Sequence, residues 1–533
     1  MSTDRAVARR AWRQQRTGAV VVGLVTAVSV YATATAYLRT YPTAALRQQA
    51  AAVVGADSGL RILLGPINDI ATVGGYTVYK NFVFLTLLGA VWAVLAGTRV
   101  LRGEEDAGRW QLQLAGATTP ARATGATLAG LFAAVGLVGA LGAAGALACT
   151  TDPALGMGAT GAFLHASTLL AVPAVFAAVG ALASQLARTR RTATGLGLGV
   201  VAVAFVLRMG ADAGPSSAWL GWLTPFGWVE RVRPYTSDDG RPLLLCVLAV
   251  AVLATLTVRA AGRRDVGDGL VAAREERPVR ARGLGSALGL SLRLELPTLV
   301  AWVTGAVVTG FVMGIFAEVV RAAFPASMEE MLARYGVRGT PLQEFLGIAF
   351  LLLATVVALL PAAQVGAAVG EQTSGRLTAV LAAAVDRRAW FGGRLALTAG
   401  AVVVSAVLGA AGVLAGAALR GLDVGAGSLL GAGLNVVPTA LVALGVGAVV
   451  VSLAPRLAAP AVYAVVVWSV FADLLAPLSG ALEPLQKVSL FHTMALLPGA
   501  DPDPVAIAVT TLVGLGLCTV AVVAFGRRDL AAD

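Results

Sequence analysis

Apolar stretches of about twenty residues recur from one end of this chain to the other, and they leave it little choice of fold. Residues 18–38 and 346–364 carry no charged side chain at all. At 1.5 Å per residue, a helix of that length crosses a hydrocarbon layer of about 30 Å. Helices also satisfy every backbone polar group internally, which an apolar medium demands. Only 13% of the residues are charged, against roughly 25% in soluble domains. The expected fold is an all-α polytopic membrane protein with about twelve spans. They centre near residues 18–38, 81–101, 124–148, 161–186, 194–212, 242–259, 298–319, 345–368, 392–418, 428–453, 459–477 and 504–525.

The net charge of +11 would suggest nucleic acid in a soluble protein. Here its distribution explains it. With the N-terminus inside, the segments on the cytoplasmic side carry 27 of the 40 basic residues but 13 of the 29 acidic ones. That is the positive-inside pattern, and it places both termini in the cytoplasm of a plasma (inner) membrane protein. Cys149, Cys246 and Cys518 lie in or beside spans, and His165 and His492 stand apart, so neither a disulfide framework nor a metal centre is expected. Five arginines precede an apolar stretch ending Ala32-Thr33-Ala34, as before a signal-peptide cleavage site. The run is longer than the usual 7–15 residues of such a signal, so the first span is expected to stay in the protein.

The chain also repeats itself. Gly103-Glu104-Glu105-Asp106-Ala107-Gly108-Arg109 follows the second span, and Gly370-Glu371-Gln372-Thr373-Ser374-Gly375-Arg376 follows the eighth, 267 residues later. Leu223-Thr224-Pro225-Phe226 returns near Val488-Ser489-Leu490-Phe491 at an offset of 265. Two landmarks at nearly one offset point to an internal duplication. With six spans each, the repeats keep one orientation and should be related by a pseudo-two-fold axis along the membrane normal. The expected parts are a first half over 1–258 with an N-terminal elbow, a basic linker and second elbow over 259–296, and a second half over 297–533.

Each repeated loop begins acidic and ends basic, which suits a short helix and its dipole. Trp110, Leu114 and Ala117 fall on one helical face, as do Leu377, Leu381 and Ala384. Such an apolar stripe on a cytoplasmic loop is expected to meet a partner there. Arg109 and Arg376 are placed to pair with Glu104 and Glu371, or with acids of that partner. Positive-inside anchoring alone would need only scattered arginines, without a spacing repeated twice.

The Glu-x-x-x-Gly-Arg pattern, the Leu-Ala helix after it, and the basic residues Arg122, Arg387 and Arg388 resemble the actinobacterial ABC-2-type (type V exporter-like) permeases. The likeness is greatest to the fused two-half permeases of the polyketide-antibiotic, or tetronasin-type, multidrug export group. It covers the whole chain, including Gly65-Pro66 in the long first outer loop and Leu223–Trp228 after the fifth span. The resemblance implies that these loops are coupling helices meeting two copies of a separate ATP-binding subunit, through Glu104, Gly108 and Arg109 and through Glu371, Gly375 and Arg376. It also implies ATP and Mg on that partner and a hydrophobic or amphipathic drug as cargo. Gln111 and Thr378 stand where an acid commonly follows Gly-Arg in that family, and Gln372 replaces the second Glu. No role of those acids is carried over.

The lysines of this chain are Lys80 and Lys487, and neither follows Gly or precedes Ser or Thr, so the chain has no phosphate-binding Gly-Lys-Ser/Thr loop. The expected permease is therefore no enzyme by itself. The spans are poor in the deep carboxylates of proton-driven carriers, since Asp212, Glu318 and Asp473 lie near outer ends. One rival is a proton-coupled carrier of major-facilitator type, but its motif runs on into an Arg/Lys cluster, where Arg109 is followed by Trp-Gln-Leu-Gln-Leu. A second rival is a membrane scaffold or sensor, which the absence of a sizeable soluble domain disfavours. Arg208 and Asp473 correspond at the 265 offset and suggest a bridge closing an outer gate, with Pro225, Phe226 and Phe491 beside it. Tyr31, Phe84, Trp92, Trp302, Phe311 and Met313 are candidates to line the substrate pathway.

Overall fold

The computed structural model describes residues 3–56, 65–66, 69–116, 118–212, 215–270, 286–323, 340–382, 385–475 and 488–528. Among these, the regular structure is entirely helical. The chain forms two compact units, residues 1–277 and 278–533, whose boundary lies inside the expected linker.

The first unit contains α1 (Thr3–Thr40), α2 (Ala44–Ala56), α3 (Val73–Val100), the short α4 (Arg102–Asp106) and α5 (Arg109–Leu114), α6 (Pro120–Ala148), α7 (Ala159–Leu186), α8 (Arg190–Asp212), the short α9 (Pro225–Glu230) and α10 (Leu243–Ala261). The second contains α11 (Ala287–Ala323), α12 (Pro341–Thr373), the short α13 (Arg376–Ala382), α14 (Arg387–Leu419), α15 (Ala426–Leu434), α16 (Val437–Leu453), α17 (Ala458–Leu475) and α18 (Pro504–Arg527). Among the described residues, eleven helical stretches are long and apolar enough to cross a membrane. The shorter apolar helix α17 occupies the remaining expected position, at 459–477.

Many helix starts follow from local chemistry. Thr72, Thr119, Asp386 and Asp503 cap the first turns of α3, α6, α14 and α18 with side-chain oxygens, and Pro120 and Pro504 need no amide partner at the first helical position. Thr340 and Gln343 form a reciprocal capping box at α12. The expected elbows are not separate pieces: α1 runs unbroken from Thr3 into the first span, and α11 continues from Ala287 through Pro297.

Each unit pairs its spans in the same order. The first span packs along the third, the second on the fourth and the fourth on the sixth: α1 with α6, α3 with α7 and α7 with α10, then α11 with α14, α12 with α16 and α16 with α18. Lipid gives apolar helices no hydrophobic reason to associate, so close backbone approach must do so. A Cβ at Gly130 would meet the Ala8 carbonyl oxygen at 2.2 Å, and one at Gly314 would meet the Val413 carbonyl oxygen at 2.1 Å. The repeat is inexact at Pro173 and Pro438, which share the 265 offset. Pro173 stays inside continuous α7, whereas Pro438 follows a break between α15 and α16. There the Asn435 side-chain amide donates to the Ala495 carbonyl at 2.8 Å.

Candidate functional site

The two repeated loops fold alike, and their glycines are the reason. Gly108 has φ +70° and Gly375 has φ +72°. In each loop the glycine amide donates to the carbonyl three residues back, Glu105 or Gln372, closing one helix as the next begins. A side chain disfavours that left-handed conformation, so glycine is a backbone requirement here.

The helices that follow present matching faces. Trp110 and Leu377 are buried in their own cores, with Leu114 and Leu381 partly buried beside them. This corrects the expected apolar stripe toward a partner: that face points inward because the short helix must cover the end of its own bundle. Ala117 and Ala384 lie outside the described residues. The outward face holds Arg109, Gln111, Leu112 and Ala115 in the first loop, and Arg376, Thr378, Ala379 and Ala382 at the same offsets in the second. Leu112 is 75% exposed.

Glu104 and Glu371, the acids of the repeated motif, are both buried but held by different helices. Glu104 binds Arg109 at 2.5 Å and Arg10 of α1 at 2.6 Å. Glu371 instead binds Arg394 of α14 at 2.7 Å, and Arg394 also binds Glu295 of α11 at 2.7 Å. The expected pairing of each arginine with its own loop's acid therefore holds for Arg109, while the Arg376 Nε donates to the Ser374 hydroxyl at 3.0 Å. Sequence reasoning missed Arg394 and Glu295. Both sit at span ends, where a charge reads as an ordinary boundary marker.

Glu105, absent from the second half as Gln372, has a role of its own. It accepts from both terminal nitrogens of Arg264 (2.7 and 2.6 Å), from Arg102 at 3.1 Å and from the Gly267 amide at 2.6 Å. Arg102 is fully buried and donates to the Gly267 and Asp268 carbonyls at 2.7 and 2.9 Å, and also to the Arg188 carbonyl. Arg264 reaches Gln185 at 2.8 Å. The start of the expected solvated linker, through residue 270, is thus clamped onto the first loop. Charges on a polar segment look solvated until their buried partners, distant in sequence, are seen.

Arg208 and Asp473, expected to bridge the halves, each have polar partners within their own half. Arg208, fully buried, lies 2.6 Å from Glu230 and 3.1 Å from Asp212. Asp473 accepts from the Ser489 hydroxyl at 2.6 Å. Glu230 reaches Arg208 because its short helix α9 packs directly beside α8. Pro225 and Phe226 are buried there, Phe226 with Phe176 at 5.4 Å and Phe205 at 5.7 Å between ring centres. Phe491 is buried in the second unit. Burial pushes the Glu230 carboxyl up, to about 7, against the opposing pull of Arg208. The folded state then keeps a proton that the unfolded chain releases, so this group makes stability fall as pH rises from about 4.5 to about 7. Glu230→Gln is expected to flatten that fall, as read from unfolding midpoints measured across the window.

The pathway candidates differ in exposure. Tyr31 and Phe84 are exposed from their unit, Trp92 packs near Gly18, and Trp302, Phe311 and Met313 are half-buried.

This architecture has known relatives. A family model described as the C-terminal domain of the multidrug efflux system permease Rv1217c matches residues 5–260 and 284–526, one stretch in each half. The multidrug efflux system permease protein Rv1217c of Mycobacterium tuberculosis (strain ATCC 25618 / H37Rv) is 32% identical over 501 residues, covering 92% of this chain and 88% of the relative. With a twofold-paired helical fold and a match running through both halves, the chain belongs to this family of multidrug efflux permeases.

Proposed function

We propose that this permease is driven by two copies of a separate ATP-binding subunit, which dock on the α5 and α13 faces at the cytoplasmic side. The observation that carries the reading is the repeated outward face, built twice on a left-handed glycine and anchored by a buried glutamate. A patch needed only to mark a membrane boundary would not require the same backbone geometry in both halves. In this reading ATP and Mg belong to the partner, both termini are cytoplasmic, and the chain itself performs no chemistry. Closure of the partner subunits moves the two loops as rigid elements. The first loop would pass that motion to α1, through Arg10, and to the linker, through Arg264. The second would pass it to α11 and α14 through Arg394.

The test is Leu112→Glu combined with Ala379→Glu. Both positions are exposed, so the fold and its unfolding midpoint should be retained. Copurification with the ATP-binding subunit, and drug-stimulated ATP hydrolysis, should fall by about 30-fold, as for loss of an interface hot spot of about 2 kcal/mol. Unchanged subunit binding and hydrolysis in this variant would refute the docking assignment. Reversing Arg109 is less clean, because it also removes a partner of buried Glu104.

A further inference from the structure

The first helix carries arginines on its outer face into its apolar part. Arg13 and Arg16 are exposed, and at 1.5 Å per residue they lie about 5 and 9 Å beyond Arg10 along α1. Contacts with α3 give their depth. A Cβ at Gly18 would meet the Trp92 ring nitrogen at 2.8 Å, and the Ser29 hydroxyl donates to the Asn81 side-chain carbonyl at 2.6 Å. In that antiparallel register Arg13 stands level with Gly97 and Arg16 with Val94, both short of Arg99 in the last turn of α3. The other neighbour, α6, agrees: Gly130, about two turns beyond Arg122, backs Ala8 and Ala11.

The acids near the start of α1 are already engaged. Asp4 binds Arg122 at 2.9 Å, and Glu104 binds Arg10 and Arg109. Among the described residues neither Arg13 nor Arg16 has a carboxylate partner. Three residues apart on one helix, the two guanidinium groups are neighbours and repel each other. Each heads a column of exposed side chains at four-residue spacing, Arg13 with Thr17 and Val21, Arg16 with Val20 and Leu24. Two cations above two apolar tracks match a phosphate above two acyl chains. The second half lacks the pair. Gly142 and Gly145 back Thr26 and Ala27, as their counterparts Gly409 and Gly412 back Ala306 and Val307. In that register Arg293 stands at the place of Arg13, but Leu296 at that of Arg16.

We propose that Arg13 and Arg16 bind the headgroup phosphate of an anionic glycerophospholipid, whose acyl chains lie along the exposed face of α1. Guanidinium and phosphate form charge-assisted, often bidentate hydrogen bonds. A phosphate drawn to this depth offsets the cost of two cations among apolar neighbours. A phosphoglycerol headgroup keeps the whole attraction, whereas the quaternary amine of a zwitterionic lipid is repelled by the same arginines. The site anchors the helix whose Arg10 holds the first repeated loop. It does not depend on how transport is powered.

The test is photolabelling of the full-length permease in phosphatidylcholine nanodiscs. These contain a trace of phosphatidylglycerol with a diazirine near the top of one acyl chain, or of phosphatidylcholine with the same group. Crosslinks are located by peptide mass spectrometry. At equal mole fraction, phosphatidylglycerol should label residues 17–28 at least about 10-fold more than phosphatidylcholine, as two arginines beside an anionic lipid require. Arg13→Gln plus Arg16→Gln should abolish that preference, and Arg13→Lys plus Arg16→Lys should retain part of it. Both positions are exposed, so the unfolding midpoint should be kept. Equal labelling by the two lipids in the unaltered protein would overturn the proposal without any variant. So would a preference unchanged by the glutamine substitutions, or an equal preference on the matching face of α11. Labelling of α1 by neither lipid, the result if a protein surface covers this face, would overturn it too. Each of these failures would leave the docking of an ATP-binding subunit standing, and failure of docking would leave the lipid site standing.

Discussion

Arg394→Leu is expected to destabilise the second unit by about 3–5 kcal/mol, the usual consequence of removing one partner from a buried ion pair. The guanidinium lies between Glu371 and Glu295, all three at most 10% exposed, and also over the Trp390 ring at 5.4 Å. Without it, two carboxylates remain buried with their shared cation gone. In thermal unfolding of the purified permease the midpoint should drop by about 10 °C. Adding Glu295→Gln and Glu371→Gln should recover most of the loss, because a neutral apolar or amide cluster of similar volume carries no buried charge. A drop of only a degree or two in the single variant would mean that the triad is solvated. The corresponding residue at the 267 offset, Thr127, merely bonds the carbonyl one turn back, so this device belongs to the second half.

Glu105→Leu is the matching experiment in the first half. It leaves Arg102 and Arg264, 1% and 7% exposed at their side chains, buried without the carboxylate between them. The expected cost is again about 3–5 kcal/mol. The more informative readout is local. The Gly267 amide donates to Glu105 and the Leu270 amide to the Gln185 carbonyl. Hydrogen exchange at both amides should rise sharply as residues 262–270 detach, while the core of α3 and α7 stays protected. Gln372→Leu, the same change in the second half, should cost about 1 kcal/mol or less, since Gln372 is only half-buried and closes no such clamp among the described residues. Equal effects at Glu105 and Gln372 would show that the two loops are anchored alike.

These two clamps also show where sequence reasoning stopped. Gly108 and Gly375 were legible because their spacing recurs, and a recurring glycine signals a backbone requirement. Arg109 was legible as the partner of Glu104 because the two lie five residues apart. Arg394 and Arg264 were not, since their carboxylates lie 23 and 159 residues away in the chain and no local pattern links them. Trp110 and Leu377 were placed on the correct helical face, but periodicity states only that a face is apolar. Whether that face covers its own bundle or meets another protein depends on what packs behind it.

The sequence alone determined the membrane architecture, the duplication and the two special loops, because apolar length, repeat spacing and glycine chemistry are local properties of the chain. Tertiary structure decided which charges are partners. An ion pair depends on distance and burial, and these are set by helices brought together from far apart in sequence. That is why two loops with one motif hold different helices.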